Sequence, residues 1–377
     1  MHEVDLTDPA VIADPFTAYN RAREAGPVAR LNIPGMPMWA LTRHDDARDF
    51  LADPRFAIRA ASFVGIPGVP AAYQRYLRTM SEMDGPDHLR LRRLAAPAFT
   101  ARRAQDFRPG VEPVVEKLIA GLPPEPDLLR DFAKPLPMLV ICELVGIPEA
   151  DRGDWVEWGA IIAAGDIQGL AEAIPGIVEG AKSVVAARPE TGLLADLIRA
   201  ENRMTDTELV TLVWHIVLAG QTPANLIANA VAALWTRPAD LAALRADPSL
   251  LPGAVDEVMR WCGPQLLTVP RFAGADVDLH GVRVKAGEPV VVAIAAANRD
   301  PGVFADPDRF DLRRGAATQL GFGHGPHFCL GAAHAHVQAE VALAALLGLD
   351  LALAGEPVRA PDPGTWRLTE LPVRLGV

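Results

Sequence analysis

Cysteine is scarce in this sequence, which contains only Cys142, Cys262 and Cys329 among its 377 residues. Three widely spaced thiols cannot build the disulfide framework of a small secreted protein. Cys142 lies within the apolar run PMLVICELVG and Cys262 follows a tryptophan, so we expect both to be packed in the core. Cys329 differs, because glycines and histidines surround it.

Basic residues and long apolar runs are also few. Lys plus Arg number 36 against 47 Asp plus Glu, which gives a net charge of −11. General binding to nucleic acid or to an anionic membrane needs a basic face, so the charge argues against both partners. No apolar run approaches the ~18 residues of a membrane span, and the acidic start MHEVDLTDP lacks the apolar core of a signal peptide. We therefore expect a cytoplasmic protein that binds neither nucleic acid nor membrane.

Apolar residues are abundant, and glycine and proline are frequent. The apolar fraction is 50%, with 31 glycines and 34 prolines, so many turns must interrupt a large core. Residues 87 to about 236 mostly follow amphipathic helical spacing. The other predicted features are a helix over 15–25, a hairpin of VARLNI and MWALT, helix breaks at 123–126, Pro135, Pro137, Pro148 and Pro175, strands in TVPRFA, DVDLHGVRV and PVVVAIAA, and a last helix over 330–348. This pattern predicts an α+β fold, mainly α with a smaller β portion, in a single domain over residues 1–377.

The longest predicted helix begins at a capping box. Thr205 and Glu208 form a T-x-x-E pattern, and helical periodicity continues from there for some thirty residues. Pro223 lies in the middle of this stretch, where it removes the N–H that would bond the carbonyl of Ala219. We therefore expect a kink at Pro223 and an Ala219 carbonyl that is free to hold a neighbouring hydroxyl or water.

Residues 321–331 read GFGHGPHFCLG and place Cys329 directly before an apolar helix. Glycines allow a backbone to approach a bulky group closely. The N-terminus of a helix lowers the pKa of a nearby thiol, which suits Cys329 to be an anionic metal ligand.

Two alternatives for this loop remain open at this point. Cys329 could be a buried thiol in a glycine-rich turn. A zinc site could instead use the nearby histidines, which are His324, His327, His334 and His336. Positions 334 and 336 lie about 200° apart on an ideal helix, so both cannot face one ion together with Cys329.

The sequence FGHGPHFCLG resembles the F-G-x-G-x-H-x-C-x-G haem loop of the cytochrome P-450 superfamily, in its soluble bacterial type. The resemblance extends over essentially the whole chain and implies a P-450-like fold with a long central helix. It implies that Cys329 is the axial thiolate ligand of the iron of haem b, that Phe322 packs beside it, and that His327 binds a haem propionate. Gly323 and Gly331 would allow the backbone to approach the haem. A thiolate ligand favours cleavage of the O–O bond of dioxygen, the co-substrate.

A second motif of the family has a structural role. Glu257 and Arg260 are three residues apart on a predicted helix, where an ion pair can form. Alone, this would be an ordinary surface pair. The spacing matches the family's E-x-x-R pair, and Arg309 in NRDPGVFADPDRF resembles its third partner. The resemblance implies that these three residues support the cysteine loop and carry no chemistry.

Haem carries two propionates, which need cationic partners in a partly buried pocket. His88 and Arg92 in DGPDHLRLRR match the family's D-x-P-x-H-x-x-x-R pattern, and Arg271 in TVPRF stands where the family has another propionate-binding arginine. Taken singly, each could equally be a solvated surface residue. Together with the haem loop they are predicted to bind the cofactor.

The segment VLAGQTPAN resembles the family's A/G-G-x-D/E-T segment, which handles oxygen and protons. The candidate catalytic residues by this match are Ala219, Gly220, Gln221 and Thr222. Gln221 occupies the position of the acid, and an amide cannot release and recover a proton near neutral pH. Protons could arrive through Thr222 and water or a substrate hydroxyl. Alternatively, the reaction could be an oxidative coupling that inserts no oxygen.

The resemblance also implies a substrate pocket and redox partners. Its apolar walls would include Trp214, Leu218, Leu267 and Thr268, although these could equally be core residues. Electrons would come from NAD(P)H through a ferredoxin reductase and a ferredoxin. An arginine-rich segment could dock an acidic ferredoxin or could be only a solvated helix face; it contains Arg90, Arg92, Arg93, Arg102 and Arg103.

The predicted function is therefore that of a haem-dependent monooxygenase. It would hydroxylate or epoxidise a small organic molecule, an intermediate of secondary metabolism. The alternative within the family is radical C–C or C–N coupling or ring closure without oxygen insertion. Two other classes of protein remain to be distinguished, a non-haem metalloprotein that uses Cys329 and a helical binding protein without chemistry.

Overall fold

The computed structural model of the protein describes residues 2–63, 65–200, 203–315 and 318–376. These residues form two compact units, each built from three stretches of chain. The first unit comprises the described residues of Met1–Phe63, Asn229–Cys329 and Val358–Thr369. The second comprises those of Val64–Ala228, Leu330–Pro357 and Glu370–Val377.

Helices dominate the described part of the chain, and the strands are short. The helices are α1 (Pro9–Ala13), α2 (Pro15–Ala25), α3 (His44–Ala52), α4 (Ala71–Gln74), α5 (Gly85–Ala95), α6 (Ala101–Asp106), α7 (Arg108–Ala120), α8 (Pro135–Val145), α9 (Arg152–Ala164), α10 (Ile167–Ala187), α11 (Leu193–Arg199), α12 (Asp206–Ala219), α13 (Pro223–Trp235), α14 (Pro238–Ala246), α15 (Leu251–Cys262), α16 (Ile294–Ala297) and α17 (Ala332–Leu347). The strands are β1 (His2–Asp5), β2 (Val28–Asn32), β3 (Met38–Leu41), β4 (Phe56–Ala57), β5 (Arg271–Ala273), β6 (Val277–Leu279), β7 (Val282–Val284), β8 (Pro289–Val292), β9 (Leu351–Leu353), β10 (Val358–Arg359), β11 (Leu368–Glu370) and β12 (Val373–Leu375). The predicted α+β class, mainly α, is confirmed.

The first unit is organised by a six-stranded sheet in the order β1-β2-β3-β8-β5-β4. β2 and β3 form the predicted antiparallel hairpin, and β8 joins β3 in parallel. Along β8, Val290 and Val292 pack in one apolar cluster and Val291 packs in another. Successive side chains of a strand point to opposite faces, so this short strand is buried on both of its faces.

The second unit has a helical core, to which α8, α10 and α12 each contribute. Ile141, Ile177 and Val213, one from each helix, are buried in the same apolar cluster. The predicted capping box is confirmed at the start of α12. The N–H of Thr205 donates to Glu208 Oε2 at 2.8 Å, and the N–H of Glu208 donates to Thr205 Oγ1 at 3.3 Å.

The predicted helix break at Pro175 is wrong, because α10 continues through this residue. A proline removes only one backbone hydrogen bond from a helix and strains the preceding turn. α10 compensates with a long buried face, which includes Ile174, Ile177 and Val178. Burial of this face stabilises the helix more than one proline destabilises it.

The stretch Asp206–Trp235 is long and apolar enough to cross a membrane, judged by length and composition only. Its most apolar window of 18 residues is 61% buried inside the structure. That burial is the property of a helix in a protein core.

His334 on α17 is a buried imidazole in apolar surroundings. Its ring packs edge-on to Phe99, with centroids 5.5 Å apart, and lies 6.4 Å from Phe107. Within the described part of the chain its Nδ1 atom has no hydrogen-bond partner, and burial lowers the pKa of His334 to about 4. His334 is therefore a core residue and not a ligand of the alternative zinc site.

We expect His334→Leu to stabilise the protein by about 1 kcal/mol at pH 7, because an unpaired buried polar atom costs about 1–3 kcal/mol. The unfolded state takes up a proton near the usual histidine pKa, whereas folded His334 does so only near 4. The advantage of the variant should therefore grow as the pH falls below about 6.5. Urea unfolding at pH 7 and pH 5.5 measures both effects. His336→Leu, at a half-buried position on the same helix, is the control, and equal stability of wild type and His334→Leu at both pH values would contradict the assignment.

Candidate active site

Cys329 lies in a loop that its own backbone closes. The N–H of Cys329 donates to the carbonyl of Phe322 at 2.8 Å, and the N–H of Phe328 donates to that of Gly325 at 3.0 Å. Gly323 and Gly325 have φ values of 76° and 70°, in the left-handed region that favours glycine. These turns hold Cys329 with its side chain exposed.

The other two cysteines are buried, as predicted. Burial raises the pKa of Cys142 and of Cys262 to about 12. Neither thiol would form a thiolate ligand near neutral pH. Of the three cysteines, Cys329 alone has both the exposure and the setting of a ligand.

Gly325 and Gly331 of the loop differ in the space around them, so a glycine is suited to each position for a different reason. A Cβ atom on Gly325 would lie 2.8 Å from the carbonyl oxygen of Leu51, so close packing within the protein requires this glycine. A Cβ atom on Gly331, the N-cap residue of α17, would meet no described atom within 4 Å. The backbone at Gly331 is thus open to approach by a bulky group, which is what the predicted haem contact needs.

Glu257 and Arg260 form a buried ion pair on α15, with side chains 1% and 0% exposed. Arg260 donates from Nε to Glu257 Oε2 at 2.7 Å and from Nη2 to Oε1 at 2.8 Å. Its remaining N–H groups reach the carbonyls of Asn298 at 2.9 Å, Pro307 at 2.7 Å and Arg309 at 3.2 Å. One guanidinium therefore fixes a carboxylate and a long loop at the same time.

The prediction that the Arg309 side chain is the third partner is wrong. The second cation on Glu257 is Arg314, whose Nε donates to Oε1 at 3.1 Å. The Arg309 guanidinium is 67% exposed and pairs with Asp311 at 2.7 Å. Arg309 joins the described network through its carbonyl, and Arg314 is a structural residue of the network that the sequence analysis missed. A loop without regular structure gives no periodicity to indicate which arginine points inward.

The predicted propionate ligands are distributed over both units. In the first unit, Arg271 is buried at the start of β5 and donates from Nη1 to the carbonyl of Leu51 at 2.8 Å. His327 of that unit ends a 3-10 turn, Gly325–His327. In the second unit, His88 is buried on α5 and Arg92 lies one turn further along the same helix. Cationic or imidazole side chains in such positions are suited to bind carboxylates.

The central helix is interrupted between Ala219 and Pro223, so the predicted kink is a full break between α12 and α13. Thr222 Oγ1 donates to the carbonyl of Ala219 at 3.2 Å. This hydrogen bond takes the place of the one that the missing N–H of Pro223 would make. A Cβ atom on Gly220 would lie 2.4 Å from the carbonyl oxygen of Ile216, so only glycine fits inside the break.

Gln221 lies inside the protein and is not a surface amide. Its side chain donates from Nε2 to the carbonyl of Val217 at 3.0 Å, and the residue is 6% exposed. Thr222, the next residue, is half-buried. The two side chains at the break therefore have different surroundings.

Trp214 was predicted to be either a wall of the substrate pocket or a core residue, and the structure supports the core position. Trp214 is 1% exposed and belongs to the core of the second unit, so it cannot line an accessible pocket. Leu218 is half-buried, Leu267 is half-buried, and Thr268 Oγ1 accepts from the N–H of Val292 at 2.9 Å.

His215 is a further residue that the sequence analysis missed. Its Nε2 lies 2.8 Å from Ser81 Oγ, which ties a 3-10 turn to α12. Burial lowers the pKa of His215 to about 4, with a smaller contribution from the positive charge of Arg92. Its partner Ser81 lies 134 residues earlier in the chain, so local sequence gave no signal for this contact.

Comparisons with known proteins connect these features. The family model for cytochrome P450 matches residues 168–349. The chain is 40% identical over 382 residues to cytochrome P450 monooxygenase PikC of Streptomyces venezuelae, which covers 96% of this chain and 91% of that protein. It is 37% identical to mycinamicin IV hydroxylase/epoxidase of Micromonospora griseorubida, over 87% of this chain and 86% of that protein. The solved structure of cytochrome P450 CYP109Q5 from Chondromyces apiculatus matches with a TM-score of 0.90 and 30% identity, covering 100% of this chain and 98% of that chain.

These likenesses cover almost the whole chain and include both fold and sequence. They confirm the predicted family and its α+β fold. Haem-thiolate iron and dioxygen are the cofactor and co-substrate that the family implies. The chain therefore belongs to the cytochrome P450 family of oxidoreductases.

Proposed function

We propose that this P450-type monooxygenase hydroxylates or epoxidises a small organic intermediate of secondary metabolism, with haem b bound through Cys329. The observation that carries the proposal is the exposed thiol of Cys329 on a backbone-closed glycine loop, in a chain whose other two thiols are buried. Relatives named as a monooxygenase and as a hydroxylase/epoxidase support oxygen insertion. In this proposal residues 1–377 act as one haem-thiolate domain in the cytoplasm.

The residues present fit a haem. The Cys329 thiolate would ligate the iron, with Phe322 packed beside it and Gly323 and Gly331 allowing close approach of the backbone. Carboxylates of the cofactor would be bound by His88, Arg92, Arg271 and His327. When bound, haem with a thiolate ligand supplies the activation of dioxygen and cleavage of its O–O bond. The open space at Gly331 and the buried guanidinium of Arg271 support this assignment.

Thr222 would hold the water that passes the proton needed in the reaction. Its hydroxyl donates to the carbonyl of Ala219, which fixes the oxygen atom of the hydroxyl as an acceptor for a water. A water held there can pass a proton without a carboxylate at position 221. Gly220 makes this arrangement possible, because any larger residue would collide with Ile141 and with the backbone of α12.

The substrate would contact half-buried apolar residues. Leu218, Leu267 and Thr268 remain candidates for this role. Thr268 Oγ1 accepts a hydrogen bond from the backbone of β8, so it would offer its methyl group and its O–H donor to a ligand. Apolar walls with few polar groups suit a largely apolar organic molecule.

Electrons would come from NAD(P)H through a ferredoxin reductase and a ferredoxin. The arginine-rich segment is partly neutralised within its own unit. Arg90 pairs with Glu208, and Arg103 pairs with Asp196 at 3.2 Å. Arg93 is exposed, and Arg102 is 92% exposed with Asp106 only at 3.9 Å. We propose that these two arginines provide the positive charge that an acidic ferredoxin meets.

Two measurements on the wild-type protein test the proposed function. The purified protein should show a haem Soret band that shifts when the iron is reduced and exposed to carbon monoxide. With a substrate and redox partners, product formed under labelled dioxygen should contain the label. Absence of the haem band would contradict the cofactor assignment. Conversion to an unlabelled product would replace oxygen insertion by oxidative coupling.

A further inference from the structure

We propose that Gln221 is a positioning residue that holds the break between α12 and α13 in shape, and that proton transfer does not pass through position 221. This inference rests on the proposed role of Thr222. It concerns the position at which this chain has an amide where the family pattern has an acid.

The break leaves helix carbonyls that need new donors, because orphan carbonyls at a helix end must be satisfied. Two adjacent side chains supply them. The amide of Gln221 donates to the carbonyl of Val217 at 3.0 Å, and the hydroxyl of Thr222 donates to that of Ala219 at 3.2 Å. Both bonds depend on a side chain that can act as a hydrogen-bond donor.

The surroundings of the amide keep it in place. A Cβ atom on Gly159 of α9 would lie 3.3 Å from Gln221 Oε1 and 2.8 Å from the methyl group of Met138 on α8. Gln221 is thus enclosed by α8, α9 and its own helix, whereas Thr222 is half-buried. The amide is hydrogen-bonded to Val217 of its own helix and lies close to Gly159 of α9.

An ionised carboxylate would not replace this amide. It has no proton to donate to Val217, and it would be an uncompensated charge in a buried site. A protonated carboxyl group would keep the bond, because it has one O–H donor. The structure thus explains why a glutamine at this position is compatible with the break.

The titratable groups on the described elements around Gln221 are each engaged, exposed or held neutral, so they do not provide a proton route at position 221. Cys142 on α8 is buried, and burial raises its pKa to about 12. On α8 and α9, Glu143 pairs with Arg152, and Asp154 and Glu157 are exposed. On α12, Glu208 belongs to the capping box and Asp206 pairs with Arg188 at 2.8 Å. His215 bonds Ser81 and has its pKa lowered to about 4, so it stays neutral from pH 6 to pH 8.5. α13 contributes no titratable side chain.

The test compares Gln221→Glu with Gln221→Met in the holoenzyme between pH 6 and pH 8.5. At pH 8.5 both variants lose the bond to Val217, so amide hydrogen exchange over 217–226 should be about tenfold faster than in the wild type. Product formed per NAD(P)H consumed should fall in both. Position 221 is buried, and burial raises the pKa of a carboxyl group well above the usual ~4.3. As the pH decreases, the introduced carboxylate of Gln221→Glu should therefore take up a proton and donate to Val217, so exchange and coupling should return toward wild-type values in that variant only. The Gln221→Met values should not change with pH relative to the wild type.

A second pair of variants leaves residue 221 unchanged. Gly159→Ala places a methyl group 2.8 Å from the methyl group of Met138 and 3.3 Å from Gln221 Oε1. It therefore crowds the enclosure of the amide and should accelerate exchange in the same residues. Gly153→Ala is the matched control. Gly153 lies on the same helix, but an added Cβ there would meet no described atom within 4 Å, so amide hydrogen exchange over 217–226 should stay at the wild-type rate.

Two results would overturn the proposal. One is better coupling of Gln221→Glu than of the wild type at pH 8.5, which would make position 221 a proton relay. The other is unchanged exchange and coupling in all of these variants. Failure of the proposed function, seen as an absent haem band or an unlabelled product in the wild type, would be distinguishable, because hydrogen exchange does not depend on turnover.

Discussion

Cys329→Ala should abolish the ferrous carbon-monoxide band and most haem retention, with at least a tenfold fall in the ratio of haem absorbance to protein. Loss of residues that merely orient a metal ligand costs about 10–100-fold in metal affinity, and here the ligand itself is removed. No replacement thiolate exists, because Cys142 and Cys262 are buried with pKa values raised to about 12.

The matched control for this prediction is Cys262→Ala, which removes a thiol but no ligand. It should keep the carbon-monoxide band at full height per molecule of folded protein. Far-ultraviolet circular dichroism should show native helix content in both variants, so that haem loss is separated from unfolding. A Cys329→Ala variant with wild-type haem content and an unchanged carbon-monoxide spectrum would contradict the assignment of the ligand.

Arg260→Met should destabilise the protein by about 3–5 kcal/mol, because removing one partner of a buried ion pair leaves the other charge uncompensated. Among the described residues, Glu257 would keep Arg314 as its side-chain cation. Three loop carbonyls, which belong to Asn298, Pro307 and Arg309, would lose a donor. Urea unfolding followed by circular dichroism measures the change.

Arg309→Met is the informative comparison, because its guanidinium pairs with Asp311 at the surface. Exposed ion pairs contribute about 0–1 kcal/mol to stability, so the free energy of unfolding of this variant should be close to the wild-type value. The destabilisation caused by Arg314→Met should lie between the values for Arg309→Met and Arg260→Met. Equal destabilisation by Arg309→Met and Arg260→Met would contradict the network described above.

Much of the fold could be predicted because its signals are local. The β2–β3 hairpin follows from two apolar runs around a proline and glycine turn, and the start of α12 follows from Thr205 and Glu208. Pro175 gave a false break because a proline is a local signal, whereas the buried face that sustains α10 depends on tertiary contacts. The loop of Cys329 was predicted from its motif alone.

The candidate site was less predictable wherever a side-chain direction decides the role. The family resemblance implied Trp214 as a pocket wall, but its side chain is packed in the core. Arg309 and Arg314 are both near Glu257 in the loop, and only the folded structure distinguishes the inward side chain from the outward one. The burial of Gln221 depends on the break in the helix and on Gly159, a residue 62 positions earlier in the chain.

The loop fixed by Arg260 has a consequence for the order in which the chain folds. Residues 298–315 contain neither helix nor strand, and three of their carbonyls receive donors from a side chain 38 to 49 positions earlier. Such a segment has little local drive to adopt its shape, because closing a long loop costs entropy before its contacts form. We therefore expect it to become ordered only after α15 has formed and buried its arginine. During synthesis the segment would emerge from the ribosome after α15, so the helix that organises it is already available.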